Sequence, residues 1–132
     1  MLFRSPKLSV VVIAYNMARE LPRTLLSLTP GYQGMDQNDR SYEVLVMDNG
    51  SSPALTHGML GYNRRVRCHR VANATPSPAY ALNLGARMAK GRILGFIIDG
   101  ARLLTPGVIT QVLSLFEAFP DPVVAVPGWH LG

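Results

Sequence analysis

The chain has a single cysteine, Cys68, in 132 residues. It therefore has no internal disulfide, which fits a reducing, cytoplasmic setting. Charged residues are scarce, at 16%, and form neither a Lys-rich tail nor an aromatic–basic repeat. That absence argues against nucleic acid as a partner, while the formal net charge of +5 makes anionic ligands natural ones. No apolar run is long enough for a transmembrane segment. Met1 to Pro6 has no signal-peptide core. His57, His69 and His130 fall in separate segments without ligand spacing, so they make no metal set. No serine stands with a paired His and acid. There are no repeats and no low-complexity stretch.

What is present is a chain long enough for one domain with a real core. Its most informative stretch is Arg92 to Arg102. Ile93 to Ile98 carries no charge and is rich in β-branched and aromatic residues, as a central parallel strand covered on both faces would be. Asp99 then stands at the strand's carboxyl end, and Gly100 allows a tight exit. Ligands of open α/β sheets bind outside the carboxyl ends of the strands.

The same pattern recurs along the chain. Leu8 to Ala14 is an apolar strand left through Tyr15-Asn16, with Asn16 a candidate N-cap for a helix starting near Met17. Leu21, Leu25 and Leu28 have helical spacing, and Thr29-Pro30-Gly31 stops the helix. Tyr32 to Ser41 reads as a polar surface loop. Tyr42 to Met47 is a second strand, ending in Asp48-Asn49-Gly50-Ser51-Ser52, and Ser52-Pro53 opens a short helix to about Leu60. Arg64 to Val71 alternates charged and apolar residues like an edge strand with one wet face. Its four arginines are either phosphate contacts or solvated edge charges. Cys68 in this strand reads as core. Ala79 to Lys90 is a helix with Leu82, Ala86 and Ala89 on one face and Gly91 as its stop. Thr105-Pro106 opens another helix, and Val123 to Val126 is a last short strand.

Strand and helix thus alternate four times before a final strand. That predicts an α/β fold, a mostly parallel twisted sheet with helices on both faces. It sets Tyr15-Asn16, Asp48 and Asp99 on one rim. The first turn, Ala14-Tyr15-Asn16-Met17-Ala18, has no glycine, so it is neither a dinucleotide fingerprint nor a Walker A loop. Diphosphate would then need a carboxylate-held cation or a basic side chain.

Three blocks, in order and spacing, resemble a family 2 glycosyltransferase of the GT-A, Rossmann-like fold. They are Leu8–Asn16, Glu43–Ser52 and Ala81–Asp99, the last joining an Asn-x-Gly helix to an Asp-x-Asp strand. The resemblance implies a nucleoside-diphosphate sugar as ligand, of UDP or GDP type, and inverting transfer by direct displacement. By that likeness Asp48 accepts from the nucleobase, Ala14, Tyr15 and Asn16 line the base and ribose, and Asp99 takes the ribose or the metal side. The family's second acid is here Ala101, whose methyl cannot ligate Mg²⁺ or Mn²⁺. Either Arg102, alone or with Arg87, brings the diphosphate part of that positive charge, or Arg102 is merely solvated and metal binding is lost or weakened.

The likeness further implies a carbohydrate or lipid-linked acceptor and a catalytic base in a second half, downstream of Gly132. Residues 1–132 then read as one donor-binding domain cut before that half. Trp129 and His130 would border the acceptor pocket. The same residues also fit a non-catalytic nucleotide-binding or regulatory module, which Ala101 and the missing half favour. An interaction domain without a ligand is a third reading.

Overall fold

The computed structural model describes residues 5–61, 63, 65–98, 101–127 and the backbone of 129–130. Four strands form one parallel sheet: β1 (Leu8–Ala14), β2 (Tyr42–Asp48), β3 (Val66–Arg70) and β4 (Ile93–Ile97), in the order β3-β2-β1-β4. All seven residues of β1 and all seven of β2 are buried, as continuous apolar runs require when both faces are covered.

One face packs on α1 (Leu21–Ser27) and α4 (Val108–Ala118). There Val10, Val12, Val44 and Val46 meet Leu21, Leu25, Leu28 and Ile109. The other face packs on α3 (Ala79–Met88), where Val11, Ile13, Leu45 and Met47 meet Ala81. Gly85 lets α3 come close: a Cβ there would lie 2.6 Å from Val11 Cγ1. The α3 contact face is therefore Ala81 and Gly85, flanked by Leu82, Leu84 and Met88, rather than Leu82, Ala86 and Ala89. No helix among the described residues is long and apolar enough to cross a membrane.

Several sequence expectations need correction. β4 is an edge strand, not a central one, and only one of its faces is covered. Leu94, Phe96 and Ile98 alternate outward and are 40%, 48% and 59% exposed. Their apolar character matches a two-faced core, but α3 packs on β1 and β2 and stops short of them. Val123–Val126 pairs with no strand, and Val123 is fully exposed. Instead β5 (Arg102–Leu103) pairs antiparallel with β6 (Trp129–His130).

Asn16 caps no helix. It sits at φ +51, and α1 begins only at Leu21, with Pro22 in its first turn. Thr29-Pro30 ends one helix and opens another, α2 (Pro30–Gln33), which takes in the expected stop and the first two residues of the expected loop. Gln33 there is buried. Its Nε2 donates to the Ser27 and Thr105 carbonyls, and its Oε1 accepts from Ile109 N. After Ser52-Pro53 the chain is irregular until a 3-10 turn at His57–Leu60. Gly91 is not a left-handed stop. A Cβ there would lie 2.7 Å from the backbone C of Leu8 and N of Ser9, so its role is close approach to β1.

A polar knot ties the end of α3 to the sheet. Ser9 Oγ donates to Glu43 Oε1 at 2.7 Å, and Lys90 N donates to the same oxygen at 2.8 Å. Gly91 N donates to Ser9 Oγ. Arg67 closes on Glu43 Oε2 through Nε and Nη2 and reaches the Met88 carbonyl. The buried Ser9 hydroxyl and both Glu43 oxygens thus have partners, as burial demands.

Substituting the two glycines separates their roles. Gly91→Ala collides with the backbone of a buried strand and should cost about 3 kcal/mol in urea melts. Gly85→Ala meets a side-chain methyl and gains helix propensity, so its net loss should be about 1 kcal/mol. Equal losses would contradict this ordering.

Candidate functional site

Parallel pairing brings the carboxyl ends of the strands to one rim. Ala14, Tyr15, Asn16 and Asp48 meet there as expected. Asp99 lies outside the described residues; β4 runs parallel to β1 and delivers the chain to this rim at Ile98. Ala14 is fully buried, and its carbonyl accepts from Asn49 N at 2.8 Å. Tyr15 is 58% exposed and offers a ring to solvent. Asn16 clasps the two loops: its N–H donates to Ser51 Oγ at 3.0 Å, and its Oδ1 accepts from Ser52 N at 2.8 Å.

Asp48 is 1% exposed. Its Oδ1 accepts from Ser51 N at 2.9 Å, and its Oδ2 accepts from Leu55 N at 3.0 Å and Arg70 Nη1 at 2.9 Å. Burial alone would raise its pKa. The Leu55 amide, both groups of Ser51 and the Arg70 guanidinium outweigh that and hold the carboxyl below its ordinary value. Arg70 Nη1 also donates to the Ser51 carbonyl. The carboxylate thus folds residues 49–55 around itself.

Its neighbour Asn49 was not singled out by sequence reading. It is 7% exposed, with Nδ2 donating to the Thr75 carbonyl at 3.0 Å. Its Oδ1 is buried and has no partner among the described residues. Such an orphan acceptor is uncommon and marks a place for a donor. Gly50, at φ +92, lets Ala74 approach, so the exposed 72–78 segment rests on this turn. The only advance signal was position: Asn49 follows the acid and so lies on the opposite face of the sheet.

Three of the four arginines in the 64–71 stretch are engaged within the fold rather than being plain solvated charges. Arg67 and Arg70 hold Glu43 and Asp48, and Arg65 donates to the Gln37 carbonyl and lies 5.4 Å over the Tyr42 ring. Arg64 lies outside the described residues. Cys68 packs against the α1 face, and burial, with the Asp48 charge, pushes its thiol pKa up. It is unsuited to be a nucleophile.

Arg102 lies in β5, half-buried, beside a groove of about 470 Å³ along the β4 edge. Its guanidinium has no hydrogen bond or ion pair among the described residues. Arg87 is in the last turn of α3, the end tied to Glu43 at the amino-terminal ends of the strands and away from the rim. Ala101 is 4% exposed, so the place of a second acid is a buried methyl. The described residues include no group of three His, Cys, Asp or Glu that could hold a metal ion. The side chains of Trp129 and His130 lie outside the described residues.

Residues 9–130 match the family model of glycosyl transferase family 2. A validoxylamine A glucosyltransferase from Streptomyces hygroscopicus subsp. jinggangensis (strain 5008) is 34% identical over 129 residues, covering 96% of this chain and 29% of the relative. Its counterpart from subsp. limoneus is 33% identical, with 96% and 27% covered. The chain therefore spans less than a third of the length of these relatives. Among solved structures, residues 1–349 of S. aureus TarS in complex with UDP share the fold at a TM-score of 0.71, with 18% identity, over 90% of this chain and 38% of that one. A Pyrobaculum calidifontis mannosyltransferase, PcManGT, in complex with GDP-Man and Mn²⁺, gives a TM-score of 0.56 and 23% identity, over 89% and 34%.

Glu43 and Asp48 are both held low in the folded state. At Glu43 burial acts upward, and the Lys90 amide, Ser9 and Arg67 outweigh it. A depressed carboxyl stabilises the fold fully above the unfolded value, near 4, and loses that contribution as pH falls through the folded value. Thermal melts should stay level from neutral pH to about pH 5 and fall below about pH 4. Glu43→Gln should begin about 2 kcal/mol lower at neutral pH and show a shallower acid limb. An unchanged acid limb in that variant would contradict this assignment.

Proposed function

Because the chain belongs to glycosyl transferase family 2, we propose that its rim holds the nucleoside-diphosphate part of a sugar donor, for inverting glycosyl transfer by a longer protein. The observation that carries this reading is Asn49. Its unpartnered Oδ1 is an acceptor at the carboxyl ends of β1 and β2, where Asn49 N donates to the Ala14 carbonyl. Uracil and guanine both present ring N–H groups to such an acceptor. Asn49 therefore takes the base contact that the family likeness assigns to Asp48, whose carboxylate is enclosed by three donors. Asp48 and Asn16 act by fixing the turn that carries Asn49. Oδ1 is shielded from solvent, so a ligand reaches it as the exposed 72–78 segment, held to Asn49 through the Thr75 carbonyl, shifts aside.

Asp99 is proposed to meet the ribose. PcManGT carries Mn²⁺ with its GDP-Man. Here a divalent ion would find one acid, Asp99, and the Ala101 methyl at this turn, which is a poor set for a hard cation. Arg102, with no partner among the described residues, is proposed to face the diphosphate. The sugar and the acceptor, a carbohydrate or a lipid-linked one, belong to the longer protein's reaction. Ala101 also favours a second reading, a non-catalytic nucleotide-binding module. Donor hydrolysis by the longer protein would distinguish the two, since a module shows none.

Isothermal titration of UDP and GDP into this chain, with and without Mn²⁺, tests the reading. One of the two should bind without metal. Asn49→Ala should weaken it about tenfold, the loss of one hydrogen bond to a shielded group. Arg102→Gln should weaken the diphosphate more than the free nucleoside. Binding that needs Mn²⁺, or ignores Asn49, would overturn the corresponding assignment.

A further inference from the structure

The rim leaves unexplained a groove at the opposite, amino-terminal edge of the sheet. β2 is seven residues long, so this groove lies about 20 Å from Asp48. It is an open groove of about 870 Å³ between the start of β2, Pro6, Thr29 with the start of α2, and the 37–40 segment. That volume is in the range of small-molecule pockets.

Its cations are Arg40, Arg65 and Lys90. Arg40 and Lys90 are exposed, and neither side-chain charge has a partner among the described residues. Arg65 is held in place. Its Nη2 donates to the Gln37 carbonyl at 2.7 Å, and its guanidinium lies over the Tyr42 ring. Its Nη1 is shielded from solvent and has no acceptor among the described residues. The acids nearby are committed. Glu43 lines the groove, but its two oxygens are taken by Ser9, Lys90 N and Arg67. Asp36 accepts from Asn38 N, and Asp39 from Ser41 N, with Arg65 and Lys7 adding attraction to Asp39. Cationic donors with unfilled valence therefore outnumber the acids facing the groove.

We propose that this groove is a second binding site, separate from the rim, for the phosphate group of a small molecule or of a lipid headgroup. A phosphate has more acceptor oxygens than a carboxylate and can meet two flexible cations and a guanidinium edge together. Arg65, fixed by the ring and the Gln37 carbonyl, supplies the pre-set contact, and Arg40 and Lys90 close from either side. Tyr42, the first residue of β2, ties the site to the sheet.

The test is NMR titration of the ¹⁵N-labelled chain with inorganic pyrophosphate at constant ionic strength, beside sedimentation with phosphatidylcholine vesicles lacking or containing phosphatidylglycerol. Saturable shifts of amides in residues 37–43, 65–67 and 90 are expected in the first arm, or vesicle binding that requires the anionic lipid in the second. Either arm names the source of the phosphate. Arg40→Gln with Lys90→Gln should weaken that binding at least about tenfold. Both residues are exposed, so the variant's spectrum should otherwise keep its dispersion. Shifts confined to the rim, no saturable response in either arm, or affinity unchanged in the double variant would overturn the proposal. Failure here leaves Asn49 and the rim untouched, because the two sites share no residue.

Discussion

Two carboxylates on one buried strand, each answered by an arginine from the next, constrain the rest of the molecule. Glu43 is the second residue of β2 and Asp48 its last. Arg67 and Arg70 reach them from β3, at 3.0 and 2.9 Å. The two pairs lie on opposite faces of the sheet, because 43 and 67 are odd, 48 and 70 even, and side chains alternate. A one-residue slip of β3 would turn each arginine away from its acid, so the pairs fix a register that an edge strand otherwise holds weakly. Removing an arginine would leave its acid shielded from water without its cation, which is worse than replacing both; removing the acid leaves an arginine that water still reaches.

From that strand the structure divides into two ends. The Glu43 end gathers the exit of α3, with Lys90 N, Gly91 N and the Met88 carbonyl all drawn onto Glu43, Ser9 and Arg67. The Asp48 end gathers the rim, where the same chemistry bends residues 49–55 into a turn. At both ends the acid works inward, and the groups left over face a possible ligand: Asn49 Oδ1 above, Arg40 and Lys90 below.

The sheet was legible because β1 and β2 are long apolar runs, and their alternation with helices leaves little choice of topology. The rim followed from that topology, so Ala14, Tyr15, Asn16 and Asp48 met where expected. What was hidden depends on contacts between distant segments. An apolar strand looks the same at the centre of a sheet as at an edge with one face uncovered, so β4 was misplaced. Gln33 and Gly91 read as loop polarity and helix stop, yet one bridges α1 to α4 and the other touches the β1 backbone. The arginines of β3 alternate like solvated charges, and only their partners 22 and 24 residues away show otherwise. Asp48 drew the functional assignment because it is an acid, whereas the residue with an unfilled acceptor is the neutral Asn49.

The most direct measurement is a crystal structure of this chain with UDP bound. The account predicts Asn49 Oδ1 within hydrogen-bond distance of the uracil N–H, with Asp48 still held by Ser51, Leu55 and Arg70. A structure in which the Asp48 carboxylate has left Arg70 and contacts the base, or in which UDP lies away from the rim, would contradict it.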